Sequence, residues 1–125
     1  MPRGNVAIAL PPDARSATAL LKRGRRIASQ LGVGWIAIFV AHSARAAAAM
    51  RELVATLGGE LVATDAAEIG TTVVDLSRQA GAQLLVIGAS RRPRLLRRFV
   101  TGTTEEILRA PRPFDVVVAR EGVEP

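Results

Sequence analysis

The feature that most constrains this chain is a repeated switch of hydrophobic period. Five short, unbroken apolar runs are each followed, except for the last, by a stretch whose apolar residues recur at helical spacing. The runs are Asn5–Leu10, Trp35–Ala41, Glu60–Thr64, Gln83–Gly88 and Phe114–Ala119. A strand with one wet face alternates apolar and polar residues. A continuous run instead implies that both faces are covered, as in a parallel sheet with helices on either side. Alternating runs and helices then predict parallel strands joined by right-handed crossovers. The expected fold is a single doubly wound, Rossmann-like α/β domain over residues 1–125, with a five-stranded parallel sheet and about four helices.

The connecting stripes carry their own punctuation. Ala17, Leu20, Leu21, Gly24, Ile27, Ala28 and Leu31 follow the i, i+3, i+4, i+7 pattern, with Ser16 read as the N-cap and Gly32 and Gly34 as the stop. A second helix opens near Ser43, presents Ala47, Met50, Val54 and Leu57, and ends at Gly58-Gly59. A third carries Ile69, Val73, Leu76 and Ala80 and closes at Gly81. A short fourth is expected from Thr103 to about Ala110. The chain's 125 residues suit one domain, and a 49% hydrophobic content is enough for an independent core. The absence of cysteine excludes disulfides, thiolate zinc sites and a thiol nucleophile. Runs such as Trp35–Ala41 are far short of the ~20 residues of a membrane span. No leader pattern is read at Met1-Pro2-Arg3-Gly4, so the expected location is the cytoplasm.

Charge narrows the partners. Seventeen basic residues against eleven acidic ones give +6, and the excess is clustered: Lys22, Arg23, Arg25 and Arg26 in one group, Arg91, Arg92, Arg94, Arg97 and Arg98 in another. Such patches suit phosphate, nucleotide or acidic lipid, or else serve solubility alone. Nucleic acid is disfavoured, because Trp35 and three phenylalanines read as core and leave few surfaces on which bases could stack.

The catalytic inventory is thin. His42 is the only histidine, and neither a Gly-x-Ser-x-Gly elbow nor a Gly-x-x-x-x-Gly-Lys-Ser/Thr loop is present. Asp13 and Asp65 are expected near the same sheet edge as His42. Asp13 either reaches a ribose hydroxyl or a magnesium ion, or holds its own turn after Pro12. The informative segment is Gly88-Ala89-Ser90-Arg91-Arg92 with Gly102-Thr103-Thr104. A glycine at a strand end lets a ligand approach the backbone, and a Gly-Thr at a helix start offers free amides at the positive end of the dipole. Ser90, Arg91, Arg92 and Arg94 lie between them, and guanidiniums form charge-assisted bonds to phosphate. The competing reading is a capping box in which Thr103 and Glu106 serve the helix itself.

At this loop the chain resembles the universal stress protein family, which carries Gly-x-x-Gly, about nine residues and Gly-Ser/Thr between its fourth strand and fourth helix. Gly88 matches the first glycine and Gly102-Thr103 the final pair. Arg91 stands where the second glycine belongs, and the spacer is one residue longer. That departure is similar to the stress-protein domain of KdpD-type osmosensitive potassium-channel sensor histidine kinases. Leu10-Pro11-Pro12-Asp13-Ala14-Arg15-Ser16, Arg25–Gly32, the Trp35–Val40 strand and Gly88–Arg92 also resemble segments of those domains. The resemblance implies a non-catalytic sensory domain binding an anionic ligand, such as ATP or another adenine nucleotide, and signalling to a histidine kinase. Adenine would sit near Leu10, Pro11, Pro12, Asp13, Val40 and Ala41, and phosphates on Gly88, Gly102, Thr103 and Thr104. Cyclic di-AMP elements of some members, Ser-x-Ser and a tyrosine-ending motif, have no counterpart here. The resemblance also implies a homodimer through the last strand, where Val116-Val117-Val118 forms an apolar edge. The alternative is a ligand-less interaction module whose Arg-rich loop, with Leu95, Leu96 and Phe99 interleaved, contacts protein or an acidic membrane surface.

Overall fold

A computed structural model describes residues 4–88 and 114–119. Within them the chain order is β1 (Val6–Ala9), α1 (Ala14–Leu31), β2 (Trp35–Val40), α2 (Ala44–Thr56), β3 (Leu61–Thr64), α3 (Ile69–Gln79), β4 (Leu84–Gly88) and β5 (Asp115–Ala119). The five strands form one sheet in the order β3-β2-β1-β4-β5, and every pairing is parallel. The expected doubly wound fold is therefore present. Three helices fall among the described residues, and the expected fourth lies outside them.

The continuous apolar runs are explained by two cores, one on each face of the sheet. Strand side chains alternate between them. Val6, Ile8, Ala37, Phe39, Leu61 and Val86 face α1 and α2 and pack with Leu20, Leu21, Met50 and Val54. Ala7, Ile36, Ile38, Leu85 and Ile87 face the other way and pack with Val73 and Val74 of α3 and with Ala80, its C-cap. Each fully buried Ile, Leu or Val contributes about 1.5–3 kcal/mol of transfer free energy.

Helix α1 shows why residue types matter at single positions. A Cβ on Gly24 would run into the Ile8 side chain, so glycine lets α1 lie close on the central strand. That closeness offsets the ~1 kcal/mol by which glycine weakens a helix interior. Gly32 adopts φ 69° and returns its amide to Ala28 and Ser29, a left-handed C-cap where a side chain would be strained.

Two sequence expectations for α1 are corrected. Ser16 is not its N-cap. The cap is Asp13, and the helix begins three residues earlier, at Ala14. The physical reason is acceptor strength: the Asp13 carboxylate takes both the Ser16 amide (2.9 Å) and the Ser16 hydroxyl (2.8 Å). Leu31, read as the end of the buried stripe, is 60% exposed. Eighteen helical residues extend ~27 Å. The four-residue β1 is only about half as long, so the last turn runs past the sheet.

Candidate functional site

All five strands run the same way, so their carboxyl ends form one edge. The chain leaves β1 toward β2 on one side, while β4 lies on the other. The order of connection thus reverses between β1 and β4, where open α/β sheets leave a crevice at the strand ends. Ile8 is level with Val86, and continuing that register places Leu10 level with Gly88. Ala9 is level with Ile38, which brings Pro11 level with Val40. Gly88 is in turn level with Ala119.

The predicted strand-end residues are therefore gathered at one place. Leu10, Val40 and Ala41 are buried. Leu10 donates its amide to Ile38 (2.9 Å) and Ala41 donates its amide to Thr64 (2.7 Å), which locks both strand ends before the chain turns away. Pro11 is half-buried, and Pro12 and Asp13 are exposed. Gly88 shows why a glycine here is informative. Among the described residues a Cβ built on it would meet only Leu20 Cδ2, at an ordinary 3.8 Å, and its φ is not positive. Neither packing against the described residues nor backbone strain demands a glycine at this position.

Of the two readings of Asp13, the structure shows the turn-holding one. Hydrogen bonds from the Ser16 amide and then the Ser16 hydroxyl hold the carboxyl below the ordinary aspartate value. Helix α2 is capped in the same way, Ser43 Oγ accepting the Ala46 amide at 3.1 Å. The N-termini of α1 and α2 are thus both capped by side chains. His42, between β2 and α2, is exposed, as is Asp65 beyond β3. Ser90, Arg91, Arg92, Arg94, Gly102, Thr103 and Thr104 lie outside the described residues.

Sequence reasoning missed one relation. Arg15 belongs with Lys22 and Arg26 on the outer side of α1, where Arg15, Thr18, Ala19, Lys22, Arg23 and Arg26 line a shallow depression. The signal was the seven-residue spacing from Arg15 to Lys22, two helical turns, obscured because Arg15 is remote in sequence from the Lys22–Arg26 group.

Known structures share this architecture. A universal stress protein in complex with cAMP superposes with a TM-score of 0.71 at 18% identity, covering 94% of this chain and 97% of that one. A universal stress protein from Archaeoglobus fulgidus gives 0.70 at 19% identity, covering 94% and 97%. Another from Archaeoglobus fulgidus, in complex with dAMP, gives 0.67 at 18% identity, covering 94% and 98%. The chain is a domain of the universal stress protein fold. The expected resemblance to universal stress proteins is thus matched at the level of the fold. In sequence, this universal stress protein-like domain is similar to the Mycobacterium tuberculosis (strain ATCC 25618 / H37Rv) sensor protein KdpD, with 30% identity over 121 residues and coverage of 91% of this chain. It spans 14% of the length of that relative. No family model matches the chain. No helix among the described residues is long and apolar enough to cross a membrane.

Proposed function

We propose that this chain is a non-catalytic regulatory domain that binds an adenine nucleotide, or a related anion, at the β1–β4 crevice and relays its occupancy to a histidine kinase. The observation that carries the reading is that the β1–β4 register, continued to the carboxyl edge, brings Leu10 level with Gly88, a glycine that none of its described neighbours requires. Absence of a side chain there is what close approach of a ligand to the backbone needs. Leu10, Val40 and Ala41 offer an apolar wall for a base, while Gly88 leads in sequence to Ser90, Arg91, Arg92, Arg94, Gly102, Thr103 and Thr104. Two supports come from other proteins of this fold, one in complex with cAMP and one with dAMP. The kinase partner, or parent chain, is suggested by the similarity to the sensor protein KdpD.

Calorimetric titration with ATP, cAMP and cyclic di-AMP, with and without magnesium and at two salt concentrations, tests the site. Micromolar binding of an adenine nucleotide is expected, weakened at least about tenfold in Gly88→Ala through the clash of a methyl group with the ligand. The same variant should melt at the wild-type temperature, since its Cβ meets only ordinary contact. Silence toward every nucleotide would overturn the reading.

A homodimer through β5 belongs to the same proposal. Among the described residues β5 lies at the sheet edge, pairs only with β4, and leaves Val118 43% exposed. Val118→Asp is expected to convert dimer to monomer in light scattering without unfolding the chain. It is a better probe than a change at Val117, which packs against the α1-side core.

A further inference from the structure

The geometry points to a second functional surface, independent of the nucleotide reading: the outer face of α1 is a docking face for an anionic phospholipid surface. Helix α1 carries Arg15, Lys22, Arg23, Arg25 and Arg26 and no aspartate or glutamate over its eighteen residues. Successive residues turn by 100°, which places Arg15, Lys22 and Arg26 within about 40° of one another in a stripe ~16 Å long. The buried residues Ala17, Leu20, Leu21, Gly24 and Ala28 occupy the opposite side, so the stripe faces away from the sheet. Arg25 lies to one side, its Nη1 donating to the Leu57 carbonyl at 3.4 Å. The other four cations line the depression of about 450 Å³ described above, together with Thr18 and Ala19. Among the described residues the ion pair is Arg78–Asp75, on α3 at the other side of the sheet, and none of these four takes part in one.

The choice of partner follows from what accompanies the charge. A protein partner is held mainly by buried aromatic or aliphatic anchors. The residues that line the depression between these cations are Thr18 and Ala19, which supply no anchor. Single-stranded nucleic acid would need aromatic platforms, and α1 has none. An anionic bilayer surface needs neither, because each Lys or Arg near it strengthens binding about fivefold by Coulomb attraction alone. The recess between the guanidiniums suits a phosphate headgroup, and arginine matches phosphate oxygens in pairs.

Co-sedimentation of the 125-residue chain with phosphatidylglycerol-containing vesicles tests this, with pure phosphatidylcholine vesicles, duplex DNA and polyglutamate in parallel. Binding to the anionic vesicles is expected to fall steeply as salt rises. Replacing Arg15, Lys22, Arg23 and Arg26 together with Gln should weaken it at least about tenfold at an unchanged melting temperature. The smaller Arg15→Gln/Arg26→Gln variant serves if the fourfold change impairs folding. Arg45→Gln/Arg78→Gln removes two charges elsewhere and should leave vesicle binding unchanged. The proposal is overturned if the α1 variants bind vesicles like wild type, if the Arg45/Arg78 variant loses as much, or if the chain prefers DNA or polyglutamate to the vesicles.

Discussion

Helices α1 and α3 cover opposite faces of one sheet, and their inner sides solve the same problem in similar ways. Each buries small and branched residues against the strands, with Ala17, Leu21 and Gly24 on α1 and Gly70, Val73 and Val74 on α3. Their polar sides differ. On α3, Arg78 pairs with Asp75 at 2.8 Å, and the buried Ser77 hydroxyl is satisfied by the Val73 carbonyl at 2.7 Å. On α1 five cations stand without a single acidic neighbour in the helix. Folding dictates only the inner side, because that is where water is excluded. The outer side is free to be set by whatever meets it, so the charge asymmetry carries functional information that the shared core does not.

The contrast can be broken in steps. The largest effect is expected for Leu21→Ala, which empties a fully buried site and should cost about 2–5 kcal/mol in chemical denaturation. Val73→Ala on α3 should cost less, since fewer buried carbons are removed; equal losses would show that the two cores relax differently. Next, Gly24→Val forces a branched side chain into Ile8 and should destabilise by about 1–3 kcal/mol. The matching change at Gly32 acts through backbone strain instead of packing.

The smallest effect separates the two helix starts. Asp13 caps α1 with its carboxylate, whereas Glu68 at the start of α3 makes no side-chain cap bond. Asp13→Ala should therefore lower the melting temperature by a few degrees at neutral pH, and Glu68→Ala should not. Because the Asp13 carboxyl is held below its ordinary value of 3.8, its contribution is complete above that value. It is lost as the pH falls through the lower folded-state value, so the gap between wild type and Asp13→Ala should narrow in acid. A gap that stays constant down to the acid transition would show that the carboxylate is not the capping group.

The strand-end part of the candidate site could be placed from the sequence because strand ends and glycines are local signals. The Leu10-Pro11-Pro12 exit, the Ala41-His42-Ser43 turn and Gly88 all sit where the apolar runs stop, and parallel strands must bring those stops to one edge. What was not legible depended on competition or distance. Ser16 and Asp13 are both good cap residues, and only the folded geometry shows the carboxylate taking the Ser16 amide and hydroxyl together. The Arg51 guanidinium bonding the Leu61 carbonyl at the β3 edge (3.2 Å) links residues ten apart, and no periodicity announces it.

The amino-acid sequence by itself determined the α/β class, the five strands and the faces that α1, α2 and α3 bury, because a hydrophobic period of 3.6 or an unbroken apolar run is a property of neighbouring residues. Strand order was a tertiary decision. That β1 lies between β2 and β4, and that Gly88 consequently stands level with Leu10, depends on which faces of remote segments bury the most apolar surface together, and seventy-seven residues of chain lie between those two positions.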